Sequence, residues 1–146
     1  MTTSKVTKKL HWDEVLLATL REDIPWEDVS ANAVVPSDAR GHADLIAKAE
    51  GVVAGLPVFA RVFELLDEDV EIVFHVEEGE FVRSGTLLAE VTGNMRAILS
   101  GERTALNFLQ RMSGIATYTR QAAKRLEGTK TVLLDTRKTT PLLRSF

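Results

Sequence analysis

Cysteine is absent from the 146-residue chain, which removes disulfides, thiolate metal sites and cysteine nucleophiles together. No apolar run approaches the ~20 residues that a membrane-spanning helix needs. The opening "MTTSKVTKKLHWDE" has lysines but no apolar stretch behind them, so a secretory signal is not expected. A cytoplasmic protein without a membrane partner is the expectation. Aromatic residues make up only 6% of the chain, and no basic tract interleaves with them, which argues against nucleic acid as a partner. Histidines number three. His75 reads as a surface or edge residue rather than a ligand, because no pattern of neighbouring histidines or carboxylates completes a metal site with it.

What is present is the composition of a globular protein. Hydrophobic residues reach 45% and charged residues 27%, enough for a core in one domain, or in one small domain and part of another. The net charge of −3 hides a division. Residues 1–100 hold nine Lys/Arg against eighteen Asp/Glu, whereas residues 101–146 hold nine against three. Either the basic third meets something anionic, or it docks on the acidic part.

Hydrophobic spacing supplies the elements. "HWDEVLLATLRED" carries Trp12, Val15, Leu16 and Leu20 at helical intervals, ending before Ile24-Pro25-Trp26. "GHADLIAKAEGVVAG" reads as two short strands around Glu50-Gly51, with Leu45, Ala47 and Ala49 alternating. Pro57 opens a helix whose apolar stripe is Val58, Val62, Phe63 and Leu66. In "VEIVFHVEEGEFVRSGTLLAEVTG", Val70, Ile72, Phe74 and Val76 line one side of a half-buried strand, and Gly79, Gly85 and Gly93 mark tight turns. This hairpin is similar to those of lipoyl and biotinyl carrier domains but lacks their modified lysine, so only the β architecture is shared. From Gly101 the pattern turns helical, with Ala105, Leu106, Phe108, Leu109 and Met112 on a buried face and Arg103, Asn107 and Gln110 on one polar stripe. Ser113-Gly114 predicts a kink or a break, and Gly128 the end of the second helical stretch.

The segment with the most chemistry comes last. Thr131 to Leu134 reads as a strand running into "DTRKTT", with a helix expected after Pro141. Ligands in α/β folds collect at the carboxyl ends of strands. Arg137 offers a planar fork for a carboxylate or phosphate, Lys138 a compact charge, and Thr136 a neutral hydroxyl. The segment has the makings of an anion site, against the alternative of a solvated loop with a chance basic pair.

"GERTALNFLQRMSGIATYT" followed by "LLDTRKTTP" resembles the quinolinate phosphoribosyltransferase family, the carboxylating nicotinate-nucleotide pyrophosphorylases. "REDIPWEDVS", "GVVAGLPVFARVFELLD" and "EEGEFVRSGTLLAEVTG" resemble the same family in the same order, from about His11 onward. The resemblance implies an α/β (α+β) fold. Residues 1–100 would form an N-terminal α/β sandwich with a mainly antiparallel sheet. Residues 101–146 would hold linking helices and the first strand of an incomplete α/β barrel. It also implies quinolinate and phosphoribosyl pyrophosphate as substrates, Mg2+ accompanying the pyrophosphate, and a homodimer in which Arg103 enters the neighbour's site. Thr136, Arg137 and Lys138 would bind substrate anions, and no general base is needed at a pyridine nitrogen.

Leu142 departs from the family, many of whose members have glycine after the proline of "TTP". A closed barrel takes roughly 200–250 residues, so the chain reads as the front half of such an enzyme, and turnover by these residues alone is not expected. Residues 101–146 are then expected to be either the least ordered part or the part that drives association. The other readings are a non-catalytic binding or assembly module, and a related nicotinate-type or molybdenum-associated protein.

Overall fold

The computed structural model describes residues 5–146, with side chains from His11 onward. In chain order the elements are α1 (Lys5–Asp23), α2 (Val29–Val34), β1 (Arg40–Ile46), β2 (Gly51–Val52), α3 (Leu56–Glu64), β3 (Glu71–Phe74), β4 (Phe81–Val82), β5 (Leu87–Asn94) and α4 (Met95–Lys124). An antiparallel sheet has the order β1-β5-β3, and β2 pairs with β4 in a second, two-stranded sheet. The expected mixed α/β fold with an antiparallel sheet is present. None of the described helices is long and apolar enough to cross a membrane.

Alternation along β1 and β5 sends Ala43, Leu45, Ala89 and Val91 toward the helices, and His42, Asp44, Glu90 and Thr92 to the other face. Leu16 of α1, Val58, Val62 and Phe63 of α3, Val91 of β5, and Ile98, Ala105 and Leu109 of α4 form one continuous core. Each of these side chains except the smaller Ala105 contributes about 1.5–3 kcal/mol by leaving water, before the cost of ordering it. α3 starts as Pro57 predicts, but its N-cap is Gly55, at φ +104, which has no side chain to cap with. The carboxylate of Glu78 takes that role from the β3–β4 connection, accepting the Gly55 N–H at 2.6 Å and the Leu56 N–H at 2.9 Å.

Several local expectations are corrected. β5 passes into α4 through Asn94, whose side chain accepts from the N–H groups of Arg96 and Ala97. The helix thus begins at Met95, not Gly101, and the 100/101 division falls within it. Ser113-Gly114 makes no break, because the Ser113 hydroxyl is engaged with β2's flank. Its oxygen accepts the Ala54 N–H at 3.0 Å, and it donates to the Ala54 carbonyl at 3.2 Å. One turn on, Thr117 accepts the Val52 N–H at 2.8 Å. α4 ends at Lys124, and Gly128 follows it in a turn at φ +77. Gly93 is not a turn residue: it lies within β5, where a Cβ would come within 2.7 Å of an Asp67 carboxylate oxygen. Leu66 lies beyond the end of α3 and is exposed, as is Phe74.

Residues 131–134 form no strand. Val132 is 74% and Leu134 80% exposed, for without a ladder partner β-propensity alone does not make a strand. After Pro141 two turns replace the expected helix. The stretch is nevertheless anchored. Phe146 stacks on Trp12 and Phe108 at ring distances of 5.7 and 5.1 Å, and the Trp12 indole N–H donates to the Ser145 carbonyl at 3.1 Å.

Candidate functional site

Two cationic regions flank α4. Thr104 is buried against the core, so Arg103, the next residue round the helix, faces outward. Its guanidinium donates to Asp23 at the end of α1, with Nη1 to Oδ1 at 2.6 Å, and its side chain is still 72% exposed. The Asp23 carboxylate pushes the guanidinium further up from its ordinary, already high pKa. Beside this pair, Asp28 caps α2 by accepting the Ala31 N–H at 3.0 Å, and it accepts the Ser100 hydroxyl at the same distance. Those two bonds, the backbone one foremost, hold its pKa below the usual carboxylate value. Arg103 therefore lies on the rim of a shallow cleft between α1, α2 and α4, one ion pair away from full release.

The second region is the turn around Arg137. The Thr136 hydroxyl oxygen accepts the Lys138 N–H at 3.1 Å, a local bond that curls the chain and directs successive side chains outward. A guanidinium nitrogen of Arg144 donates to the Arg137 carbonyl at 3.0 Å, closing the segment from the far side. Arg111 of α4 reaches the Thr140 hydroxyl at 3.3 Å. Thr136, Arg137 and Lys138 are exposed, and among the described residues no carboxylate pairs with Arg137 or Lys138. The basic third does not spend these charges by docking on the acidic part.

Of the four residues singled out in the sequence, Thr136, Arg137 and Lys138 share one turn. Arg103 stands apart, with no hydrogen bond or ion pair to them among the described residues. Sequence reasoning missed the partners: Asp23, eighty positions from Arg103, and Arg111, which ties Thr140 to α4. Leu142 proves to be the one described non-glycine residue at positive φ, at +66, in the position where the family resemblance leads one to expect glycine.

A sequence profile of the quinolinate phosphoribosyl transferase N-terminal domain matches residues 28–113, and that of the C-terminal domain matches 115–146. The probable nicotinate-nucleotide pyrophosphorylase (carboxylating) of Bacillus subtilis (strain 168) is 42% identical over 123 residues, 84% of this chain and 42% of the relative. Its namesake in Synechocystis sp. is 44% identical over 132 residues, 90% of this chain and 44% of the relative. The crystal structure of NadC from Streptococcus pyogenes superposes with a TM-score of 0.88 at 40% identity, over 97% of this chain and 49% of that one. The nicotinate-nucleotide pyrophosphorylase of Francisella tularensis gives 0.87 at 34% identity, over 94% and 49%. The chain thus spans under half the length of the relatives it matches. With both domain profiles matched in order, the first across more than half of the residues, and the same fold in solved relatives, the chain belongs to the quinolinate phosphoribosyl transferase family.

Proposed function

We propose that this chain serves the transfer of phosphoribose from phosphoribosyl pyrophosphate to quinolinate, contributing the cationic part of the site. The observation that carries this reading is the unpaired, exposed Thr136–Arg137–Lys138 turn in a member of this family. In the reaction the ring nitrogen forms a bond to the sugar carbon as the bond to pyrophosphate breaks. Carbon dioxide then leaves from the neighbouring ring carbon, which keeps the electron pair and takes up a proton. A pyridine nitrogen has a free lone pair, so positioning and charge compensation suffice. Arg137 clamps a substrate carboxylate through its planar fork, Lys138 meets carboxylate or phosphate oxygens, and the Thr136 hydroxyl donates beside them.

Arg103 acts in a neighbouring copy of the chain. It is exposed, and exchanging Asp23 for a substrate anion conserves its charge pairing. The proposal includes that homodimer and a cytoplasmic location. Mg2+ enters with the pyrophosphate as part of the substrate, since three cations and one hydroxyl make no oxygen cage for a hard cation.

The test is a nuclear magnetic resonance titration of the chain with quinolinate, with pyridine as the uncharged control. Shifts centred on residues 136–138 that vanish in Arg137→Ala are expected. No change at millimolar quinolinate, or equal change with pyridine, would overturn the reading.

A further inference from the structure

The face of the β1-β5-β3 sheet turned away from the helices carries a cluster that the anion chemistry does not use. Antiparallel register sets His42 opposite Thr92 and Asp44 opposite Glu90, so these four side chains emerge on one face in two adjacent rows. His42 Nε2 is 2.8 Å from Asp44 Oδ1 and 3.7 Å from Glu90 Oε1. Beyond β3, His75 Nε2 lies 2.8 Å from the other Glu90 oxygen. Two of the chain's three histidines therefore converge on one carboxylate. His75 stands outside the three-donor group of His42, Asp44 and Glu90 and is half-exposed at the sheet's edge, but it does have a carboxylate neighbour. Its partner is fifteen residues away in sequence and across a strand pair.

We propose that His42, Asp44 and Glu90 bind a divalent transition-metal ion, with Zn2+ the best fit, and that His75 holds Glu90 in position for it. Their donor atoms lie within 4.8 Å of one another. Bonds of about 2.0–2.2 Å in a tetrahedron would set them ~3.3 Å apart, between the two separations His42 Nε2 already shows. One imidazole and two carboxylates neutralise a 2+ charge, and the nitrogen donor selects against Mg2+ and Ca2+. The outer contacts are those a ligating histidine needs. His42 Nδ1 lies 3.1 Å from the Thr92 hydroxyl, so with its proton there, Nε2 presents a lone pair to the metal. The donors are accessible, leaving a fourth position for water or a ligand from outside. Since His42 and Asp44 come from β1 and Glu90 from β5, the ion would also cross-link two strands.

Calorimetric titration of the full chain with Zn2+, paired with Co2+ absorption spectra, tests this. The expected result is one saturable equivalent in the micromolar range, a thermal midpoint raised by Zn2+, and visible Co2+ bands. His42→Ala and Glu90→Gln should weaken binding by more than about a hundredfold and remove the bands, while His75→Gln weakens it about tenfold and keeps them. His11→Ala should change nothing. All substitutions are at solvent-facing sites, and circular dichroism of each variant checks its fold. No saturable uptake below millimolar Zn2+, uptake surviving His42→Ala, or uptake lost in His11→Ala would overturn the site. Loss of the Co2+ bands in His75→Gln would overturn the three-ligand assignment.

Discussion

Replacing Gly55 with alanine tests how α3 is launched. At φ +104 an L-residue is strained, which costs about 1–2 kcal/mol. The new Cβ would sit 2.7 Å from the Met112 sulfur and 3.4 Å from the Met112 Cβ, so that side chain must move, at about 1 kcal/mol or more. Stiffening the unfolded chain returns roughly 0.4–1 kcal/mol. The net expectation is a loss of about 2 kcal/mol, or roughly 4–8 °C in thermal midpoint for a chain of this length. Urea unfolding followed by circular dichroism measures it, with the slope expected to match the parent. Gly85→Ala is the control: its φ is +88, but nothing lies within 4 Å of the added methyl, so only the backbone cost applies. Gly55→Ala as stable as the parent would refute the strain argument. Equal losses in the two variants would refute the part assigned to Met112.

Leu142→Gly should stabilise the chain by about 1 kcal/mol, because it relieves a left-handed residue that is 76% exposed and has little packing to lose; thermal unfolding checks it. Asp67 accepts the Asn94 N–H at 2.8 Å and the Asp69 N–H at 3.0 Å, and the Asn94 bond foremost holds its pKa below the ordinary 3.8. A lowered folded-state pKa means stability that is present above the unfolded value and lost as pH falls through the folded one. Asp67→Asn should therefore flatten the acid limb of stability against pH below about 4, where carboxylates titrate, and leave the slope near neutrality unchanged. Arg61 holds Asp13 through two bonds, at 2.8 and 2.9 Å, joining α3 to α1. A double-mutant cycle with alanine at both positions should return a coupling of about 1 kcal/mol, above that of a fully exposed pair.

Helix α3 was legible because its signals are local: Pro57 at the start, then Val58, Val62 and Phe63 at helical spacing. The start of α4 was less so, since Met95 to Ser100 follows a strand with no intervening loop and only Asn94 marks the change. The break expected at Ser113-Gly114 did not form: both residues favour breaks in isolation, whereas the helix runs on through them, with the Ser113 hydroxyl hydrogen-bonded to Ala54, some sixty residues away. Thr131–Leu134 misled in the opposite sense. Its β-branched and apolar residues favour an extended backbone, but a strand also needs a neighbour, and none among the described residues pairs with it. Of the candidate site, the Thr136–Lys138 turn lay in contiguous residues and could be read directly. The Asp23 partner of Arg103 and the gathering of His42, Asp44, Glu90 and His75 could not, because each depends on register or helix packing that spacing along the chain does not encode.

The stacking of Phe146 between Trp12 and Phe108 makes residues 125–142 a tethered loop rather than a trailing arm. One end leaves α4 and the other returns to the α1–α4 seam, so part of the loop-closure entropy is already spent within the fold. On the proposed function, an anion arriving at Arg137 would order a segment whose ends are fixed, with less of its binding energy diverted into gathering the chain. Cutting the clasp, as Phe146→Ala would, leaves the cations chemically unchanged but lets them sample a larger volume. On the proposed function, anion affinity at this turn would therefore depend on an aromatic contact outside the turn itself.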